Sequence, residues 1–112
     1  MNSLPFIHQD KKQQDHQQPP LVSVVIAFLN EEEVLERCHQ RVCDTLDTLS
    51  EACEIVYIDD GSSDQSWQIV SNFKHPKHQI CRLKLSRNFG KEAAMSAGLA
   101  KAAGRCVVLL DA

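Results

Sequence analysis

Carboxylates stand at the ends of two apolar segments of this 112-residue sequence. Asp59 and Asp60 follow the segment CEIVYI, and Asp111 follows CVVLL. A carboxylate at the end of a strand can accept hydrogen bonds from a base N–H or from ribose hydroxyls. A second carboxylate on another strand can hold a divalent ion that neutralises a diphosphate. The pattern predicts that Asp60 and Asp111 divide these two tasks.

The residues after Asp60 also admit a purely structural interpretation. A glycine and two serines allow a tight turn into a helix, so DDGSSD can be a turn with a helix cap. The sequence contains neither GxGxxG nor GxxxxGK(S/T), which excludes a Walker-type ATPase. Lys91 and Arg87 are candidates for contact with phosphate or with an acidic partner, and solvated surface charge explains them equally well.

The elements that must position these residues alternate along the chain. Apolar, β-branched runs predict strands, and apolar stripes with helical spacing predict helices between them. Strands are predicted at 21–30, 53–60, 80–86 and 106–112, with one helix after the three glutamates 31–33 and two more at about 64–73 and 91–103. This order is typical of an α/β fold with a Rossmann-like parallel sheet and right-handed crossover helices.

The predicted topology brings four polar segments together. The carboxyl ends of parallel strands share one edge of the sheet, where open α/β sheets bind ligands. The segments FLNE, DDGSSD, SRNFGK and DA meet there. Neighbouring carboxylates repel one another unless a cation or a donor-rich ligand joins them, so this edge is predicted to be a ligand site. Asn30 is expected to cap the first helix, and the run CVVLL reads as the most buried strand.

Composition limits the other possibilities. Residues 1–20 are rich in Gln, Lys, Asp and His and predict a disordered leader before a single domain at 21–112. A net charge of −3 without any basic run argues against nucleic-acid binding. No apolar run approaches the roughly 18 residues that span a bilayer, so a cytosolic chain is expected. The five cysteines are expected to be reduced thiols. His75 and His78, three positions apart in the loop HPKH, offer nitrogens for a metal, and a solvated turn is the expected interpretation.

Four segments of the sequence, in order, carry a family resemblance. They are VSVVIAFLNEEE, YIDDGSSDQS, SRNFGKEAAMSAGLAKAAG and VVLLDA. Together they resemble the family-2 inverting glycosyltransferases of the GT-A fold, and most closely the branch of dolichyl-phosphate mannosyltransferase and bacterial polyprenyl-phosphate glycosyltransferases. The resemblance covers residues 22–112. It implies that the chain is the nucleotide-binding half of a GT-A fold, truncated within the DxD motif that VVLLDA introduces.

The resemblance also implies roles for individual residues. A nucleotide-sugar donor, a UDP- or GDP-hexose, is expected to lie across the strand ends. The implied nucleotide-sugar contacts are Ala27, Leu29 and Glu31 around base and ribose, Ile58 and Asp60 at the nucleoside, and Asp111 with Ala112 at the diphosphate. Asp111 is the implied ligand of a divalent metal, Mg²⁺ or Mn²⁺. Ala27 replaces the family's usual proline and Leu29 its usual aromatic residue, which implies weaker base stacking or an altered nucleotide preference.

The implied activity is transfer of a hexose to a polyprenyl phosphate at the cytoplasmic face of the membrane. It belongs to a full-length parent enzyme, because the catalytic base and the part that would contact the membrane are expected beyond Ala112. One alternative is a non-catalytic nucleotide-binding remnant. Another is a sugar-nucleotide nucleotidyltransferase, which would need a glycine-rich basic loop after the first strand, where FLNEEE is acidic.

Overall fold

The computed structural model describes residues 6–9 and 18–112, which form one mixed sheet with helices on both faces. The elements in chain order are β1 (Phe6–Gln9), β2 (Val22–Phe28), α1 (Leu35–Leu46), β3 (Glu54–Asp59), α2 (Ser66–Ser71), β4 (Gln79–Leu85), α3 (Lys91–Lys101) and β5 (Cys106–Asp111). The strand order is β1-β4-β3-β2-β5. Strands β2 to β5 pair in parallel, which confirms the predicted α/β class and the positions of the four strands to within two residues.

The strand β1 differs from the predicted disorder of residues 1–20. Phe6–Gln9 pairs antiparallel with β4, and Phe6 lies in register with Leu85. Without it, β4 would present a row of unpaired N–H and C=O groups at the sheet edge. An edge of this kind accepts a short segment whose own sequence gives little strand signal. Residues 1–5 and 10–17 lie outside the described residues, and the division of the chain at residue 21 stays a prediction.

The path of the chain creates a switch point between β2 and β5. From β2 the chain moves outward through β3 to β4, and α3 then carries it back across the sheet to β5 on the other side of β2. Ala27 and Asp111 are register partners at the carboxyl ends of these two strands. A crevice at such a switch point is where open α/β sheets bind ligands.

Each face of the sheet buries its own apolar cluster. Because side chains alternate along a strand, Val24, Ile26 and Phe28 face α1 and α2, whereas Val25 and Ala27 face α3. A Cβ atom on Gly98 of α3 would lie 2.4 Å from Val25 Cγ1 and 2.5 Å from Ile58 Cδ1. The glycine therefore lets α3 approach the sheet closely.

A buried carboxylate fixes the turn that leads into β5. The Ser23 hydroxyl donates to Glu54 Oε1 (2.5 Å), and the Ala103 N–H donates to the same oxygen (2.9 Å). The Gly104 N–H donates to the Ser23 oxygen, and a Cβ atom on Gly104 would lie 2.6 Å from it. The α3–β5 turn is thereby tied to β2 and β3, which sets the position of β5 beside β2.

The strand β5 does not match the expectation of deepest burial. Four of its apolar residues are 38–47% exposed, namely Val107, Val108, Leu109 and Leu110. Among the described strands it pairs with β2 alone, and α3 packs over β2 and β3 instead. The apolar run CVVLL therefore correctly predicted a strand. It did not predict burial, because burial depends on which elements cover the strand.

Candidate functional site

A cleft of about 470 Å³ opens at the carboxyl edge of the sheet, at the switch point between β2 and β5. Segments that follow β2, β3 and β4 reach it together with the end of β5. The lining residues are Ala27, Phe28, Leu29, Glu31, Asp60, Asn88, Gly90, Lys91, Asp111 and Ala112. The four polar segments that were predicted to share one edge therefore all contribute to one cavity.

Six of the seven predicted nucleotide-sugar contacts lie in this cleft. They are Ala27, Leu29, Glu31, Asp60, Asp111 and Ala112. Ile58 does not: it is fully buried in the cluster beneath α3, with its side chain against Gly98. The structure places Ile58 in the core below the cleft, because its position in β3 directs the side chain towards α3. Its predicted contact with the nucleoside is not supported by this placement.

Four further residues reach the cleft, namely Phe28, Asn88, Gly90 and Lys91. The segment SRNFGK was expected at this edge, yet the sequence did not distinguish a cleft role for Lys91 from solvated charge. The sequence feature that could have indicated this role is the position of Lys91, which follows the loop after β4 and begins α3. That place aims the side chain across the cleft towards β5.

Asp60 organises the loop after β4. The residue is 4% exposed, and its carboxylate accepts hydrogen bonds from the N–H groups of Phe89 (2.8 Å) and Gly90 (3.1 Å). Gly90 has φ +105°, a conformation that side-chain-bearing residues rarely adopt. A Cβ atom on Gly61 would lie 2.6 Å from the Arg87 carbonyl carbon. Asp60 and the two glycines thus hold the loops after β3 and β4 against each other and bring α3 to the cleft.

Asp59 faces the opposite way from its neighbour. It is fully buried, and its Oδ1 accepts the Ser62 N–H at 2.7 Å. Burial raises the pKa of its carboxyl, and the hydrogen bonds from Ser62 offset part of that rise. No donor in the described part of the chain contacts Asp59 Oδ2. Of the two adjacent aspartates, only Asp60 can meet a ligand in the cleft.

The DDGSSD turn is locked to the loop after β2 by Asn30. The amide oxygen of Asn30 accepts N–H groups of Ser63 (2.8 Å) and Asp64 (3.2 Å), and the Asn30 N–H donates to Ser62 Oγ (2.9 Å). Asn30 has φ +53°, which asparagine tolerates better than most residues. The prediction that Asn30 caps α1 is wrong, because that helix begins at Leu35.

These bonds settle the two interpretations of the turn. The N–H groups of residues 62–64 are used within the fold, and those of the next two residues are bound by Glu32 and Asp64. The turn is therefore a structural connection and offers no free cradle for a phosphate. The contribution of this segment to the cleft is the carboxylate of Asp60.

One ion pair spans the cleft. Lys91 Nζ lies 2.5 Å from Asp111 Oδ2, and the two side chains are 61% and 57% exposed. A pair with this exposure contributes less than about 1 kcal/mol to stability. Glu31 and Asp60 are the other charged residues of the lining, so Lys91 is its single basic side chain among the described residues.

The donor chemistry of the cleft suits a hard divalent cation. Mg²⁺ and Mn²⁺ prefer carboxylate, phosphate and water oxygens. Asp60 has its oxygens engaged by backbone N–H groups, whereas Asp111 is exposed and, among the described residues, is contacted at this edge by the Lys91 side chain. A single carboxylate is sufficient for Mg²⁺ when a diphosphate and water supply further oxygens. Asp111 therefore fits the metal ligand that the sequence predicted.

A second polar cluster lies near the opposite edge of the sheet. Asp47 Oδ1 lies 2.9 Å from His78 Nε2 and 3.1 Å from His75 Nε2. His78 is 3% exposed, which corrects the predicted solvated turn. The His78 Nδ1 accepts the Cys53 N–H, and the His75 Nδ1 accepts those of Lys77 and His78.

These backbone contacts argue against a metal at the histidine pair. A neutral imidazole carries one proton, and with Nδ1 accepting a hydrogen bond that proton stays on Nε2. Both Nε2–H groups then donate to Asp47, and neither nitrogen has a lone pair for a metal. Burial lowers the pKa of His78, which favours the neutral form that this arrangement requires. The cluster is a clasp that joins the end of α1 to the starts of β3 and β4.

Comparison with known proteins shows the family of the chain. The sequence model described as "Glycosyl transferase family 2" matches residues 23–112. An uncharacterised glycosyltransferase of Synechocystis sp. is 40% identical over 91 residues, which are 81% of this chain and 29% of that protein. The undecaprenyl-phosphate 4-deoxy-4-formamido-L-arabinose transferase of Salmonella choleraesuis is 40% identical over 92 residues, 81% of this chain and 28% of that protein.

A third relative extends the match slightly. The uncharacterised glycosyltransferase YkoT of Bacillus subtilis is 33% identical over 104 residues, which are 86% of this chain and 31% of that protein. The chain thus spans less than a third of the length of these relatives. None of the helices in the described residues has the length and apolar character needed to cross a bilayer. The match over nearly the whole sheet, with the cleft at its carboxyl edge, identifies the chain as a member of glycosyltransferase family 2.

Proposed function

We propose that the protein containing this chain transfers a hexose from a nucleotide-sugar donor to a polyprenyl phosphate, with inversion at the anomeric carbon. The observation that carries the proposal is the assembly of six predicted donor contacts, from segments far apart in the sequence, around one cleft. Membership of glycosyltransferase family 2 supports the reaction class. The name of the Salmonella relative, an undecaprenyl-phosphate transferase, supports the acceptor class.

The donor's nucleoside occupies the side of the cleft that β2 and β3 form. Ala27 and Leu29 lie against the base, and both are small or aliphatic, so the base gains apolar contact without aromatic stacking. Asp60, positioned by its bonds to Phe89 and Gly90, accepts hydrogen bonds from the nucleoside. Its remaining lone pairs are available because a carboxylate offers about four acceptor sites.

The diphosphate lies towards β5, near Asp111 and Ala112. Asp111 would hold Mg²⁺ or Mn²⁺, and the ion would supply Lewis-acid stabilisation of the nucleoside diphosphate leaving group. An ionised oxygen of the acceptor phosphate forms the new bond to the anomeric carbon from the face opposite the diphosphate, so this oxygen has no proton to lose. The bond from that carbon to the diphosphate oxygen breaks, and its electron pair leaves with the diphosphate. The acceptor is a lipid phosphate, so we place the reaction at the cytoplasmic face of the membrane.

The test uses the complete gene product that contains this sequence. It is incubated with Mn²⁺, undecaprenyl phosphate and a panel of radiolabelled UDP- and GDP-hexoses, and lipid-soluble label is separated by thin-layer chromatography. We expect label in the lipid fraction with at least one donor, and its loss on adding EDTA or omitting the lipid. Binding of UDP or GDP without transfer under any condition would instead support the non-catalytic nucleotide-binding alternative.

A further inference from the structure

Lys91, the single basic side chain that the described residues contribute to the cleft, is paired with Asp111, the residue that a metal would need. Lys91 Nζ contacts Asp111 Oδ2 at 2.5 Å, while the three acidic lining residues give the cleft a net negative charge. A diphosphate entering this cleft meets the uncompensated negative charge of Glu31 and Asp60 and finds the lysine already paired with Asp111. The arrangement therefore disfavours a diphosphate that arrives without a divalent ion.

We propose that Lys91 is an exchangeable cation of the cleft: it neutralises Asp111 in the unliganded protein and moves to the donor's diphosphate when a divalent ion replaces it at Asp111. This inference rests on the proposed function, because it assumes a nucleoside diphosphate in the cleft. It makes Lys91 a phosphate-binding residue whose availability depends on the metal.

The structure allows this exchange. Both side chains are more than half exposed, so the pair separates without burying an unpaired charge. The lysine ammonium sits on a flexible four-carbon stem and can change partners by rotation alone. Lys91 is also the first residue of α3, and the positive end of the helix dipole favours an anion beside it. The loop that carries it is fixed by Asp60, so only the side chain has to move.

The exchange predicts a coupling between two substitutions in the absence of metal. The affinity for UDP and GDP is measured by calorimetry in EDTA for the complete gene product, Lys91→Met, Asp111→Asn and the double variant. With Asp111 present the lysine is occupied, and the carboxylate that Lys91→Met leaves unpaired is exposed and screened by salt, so this substitution should change affinity by less than about twofold. With Asp111→Asn the lysine is free, and Lys91→Met should then lower affinity about tenfold, the usual effect of losing a charged hydrogen bond.

Metal should have the same effect as the Asp111→Asn substitution. In saturating Mn²⁺, Lys91→Met should lower the affinity of the otherwise unchanged protein about tenfold. Lys74→Met is the matched control, because it removes the same charge from an exposed loop that leads into the amino end of β4, away from the cleft. It should leave the affinity unchanged within about twofold. Unchanged thermal midpoints would show that all variants are folded.

Each other outcome overturns the exchange. An equal loss with and without Asp111 means that the pair does not restrain Lys91, and no loss in any background means that Lys91 does not reach the diphosphate. If the unchanged protein binds neither nucleotide in Mn²⁺, the proposed function fails and the exchange fails with it. If it binds in Mn²⁺ and the substitutions are additive, only the exchange is wrong.

Discussion

Asp59 and Asp60 are adjacent in the sequence but contribute differently, because successive side chains of a strand point to opposite faces. Asp59 turns into the fold and binds the Ser62 N–H, whereas Asp60 reaches the cleft and holds the loop after β4. The sequence pattern and the family resemblance predicted a ligand role for Asp60 and assigned none to Asp59. They could not show that Asp60 also holds the loop after β4, since the bonds to Phe89 and Gly90 join residues about thirty positions apart, and no local pattern records such contacts.

Replacing Asp60 should affect stability as well as binding. Asp60→Ala leaves the Phe89 and Gly90 N–H groups without their acceptor, and we expect the free energy of unfolding to fall by about 2–3 kcal/mol. Urea unfolding of the complete gene product measures this change. Asp111→Asn is the control, because Asp111 is 57% exposed and its loss should change the value by less than about 1 kcal/mol. Equal stabilities for the two variants would show that Asp60 does not hold the loop.

At the scale of elements, the sequence predicted what depends on local pattern. The four parallel strands and the small-residue helix α3 follow from apolar runs, helical spacing and glycines. Predictions from the sequence were wrong where the structure of a segment depends on contacts with residues far away in the chain. Phe6–Gln9 gains a strand partner only because β4 offers a free edge, Asn30 binds a turn some thirty positions away, and Ile58 points to α3 rather than to the cleft.

The packing of α3 against the sheet yields a test of the close approach at Gly98. Gly98→Ala places a methyl group 2.4 Å from Val25 Cγ1, and the β-branched valine has little freedom to move. We expect a loss of about 1–2 kcal/mol in the free energy of unfolding, since overpacking outweighs the better helix propensity of alanine. Ser96→Ala, on the exposed side of the same helix, should be neutral or slightly stabilising. A stabilised Gly98→Ala variant would contradict the packing described.

At the scale of the whole molecule, the two ends of the sheet have separate tasks. The carboxyl edge carries the cleft, and the region near the amino edge is joined by the clasp of Asp47, His75 and His78. The sequence suggested the first from four polar segments. It missed the second, because HPKH reads as a solvated turn until the partner Asp47, thirty-one positions from His78, is placed beside it.

The clasp makes stability depend on pH. Burial lowers the pKa of His78 in the folded state, whereas in the unfolded state it is about 6.5. Above that pH, His78 is neutral in both the folded and the unfolded state, and its contribution to the free energy of unfolding is fully present. As pH falls below about 6.5 the unfolded state takes up a proton that the folded state resists, so the free energy of unfolding falls by up to about 1.4 kcal/mol per pH unit.

The measurement is urea unfolding of the complete gene product between about pH 8 and pH 5.5. His78→Gln should reduce the slope, because glutamine can still accept the Cys53 N–H and donate to Asp47 but does not titrate. A part of the slope should remain, since burial also lowers the pKa of His39. An identical slope in the two proteins would show that His78 does not carry the pH dependence.

The register of Ala27 with Asp111 also has a consequence for biosynthesis. The two walls of the cleft are made by β2, which leaves the ribosome early, and by β5, which follows only after three helices and two strands have been completed. Parallel pairing over such a separation is slow, because the intervening chain must be ordered first. The nascent protein can therefore build most of its sheet while it is still unable to hold a nucleotide, and the capacity to bind one arises with the docking of β5.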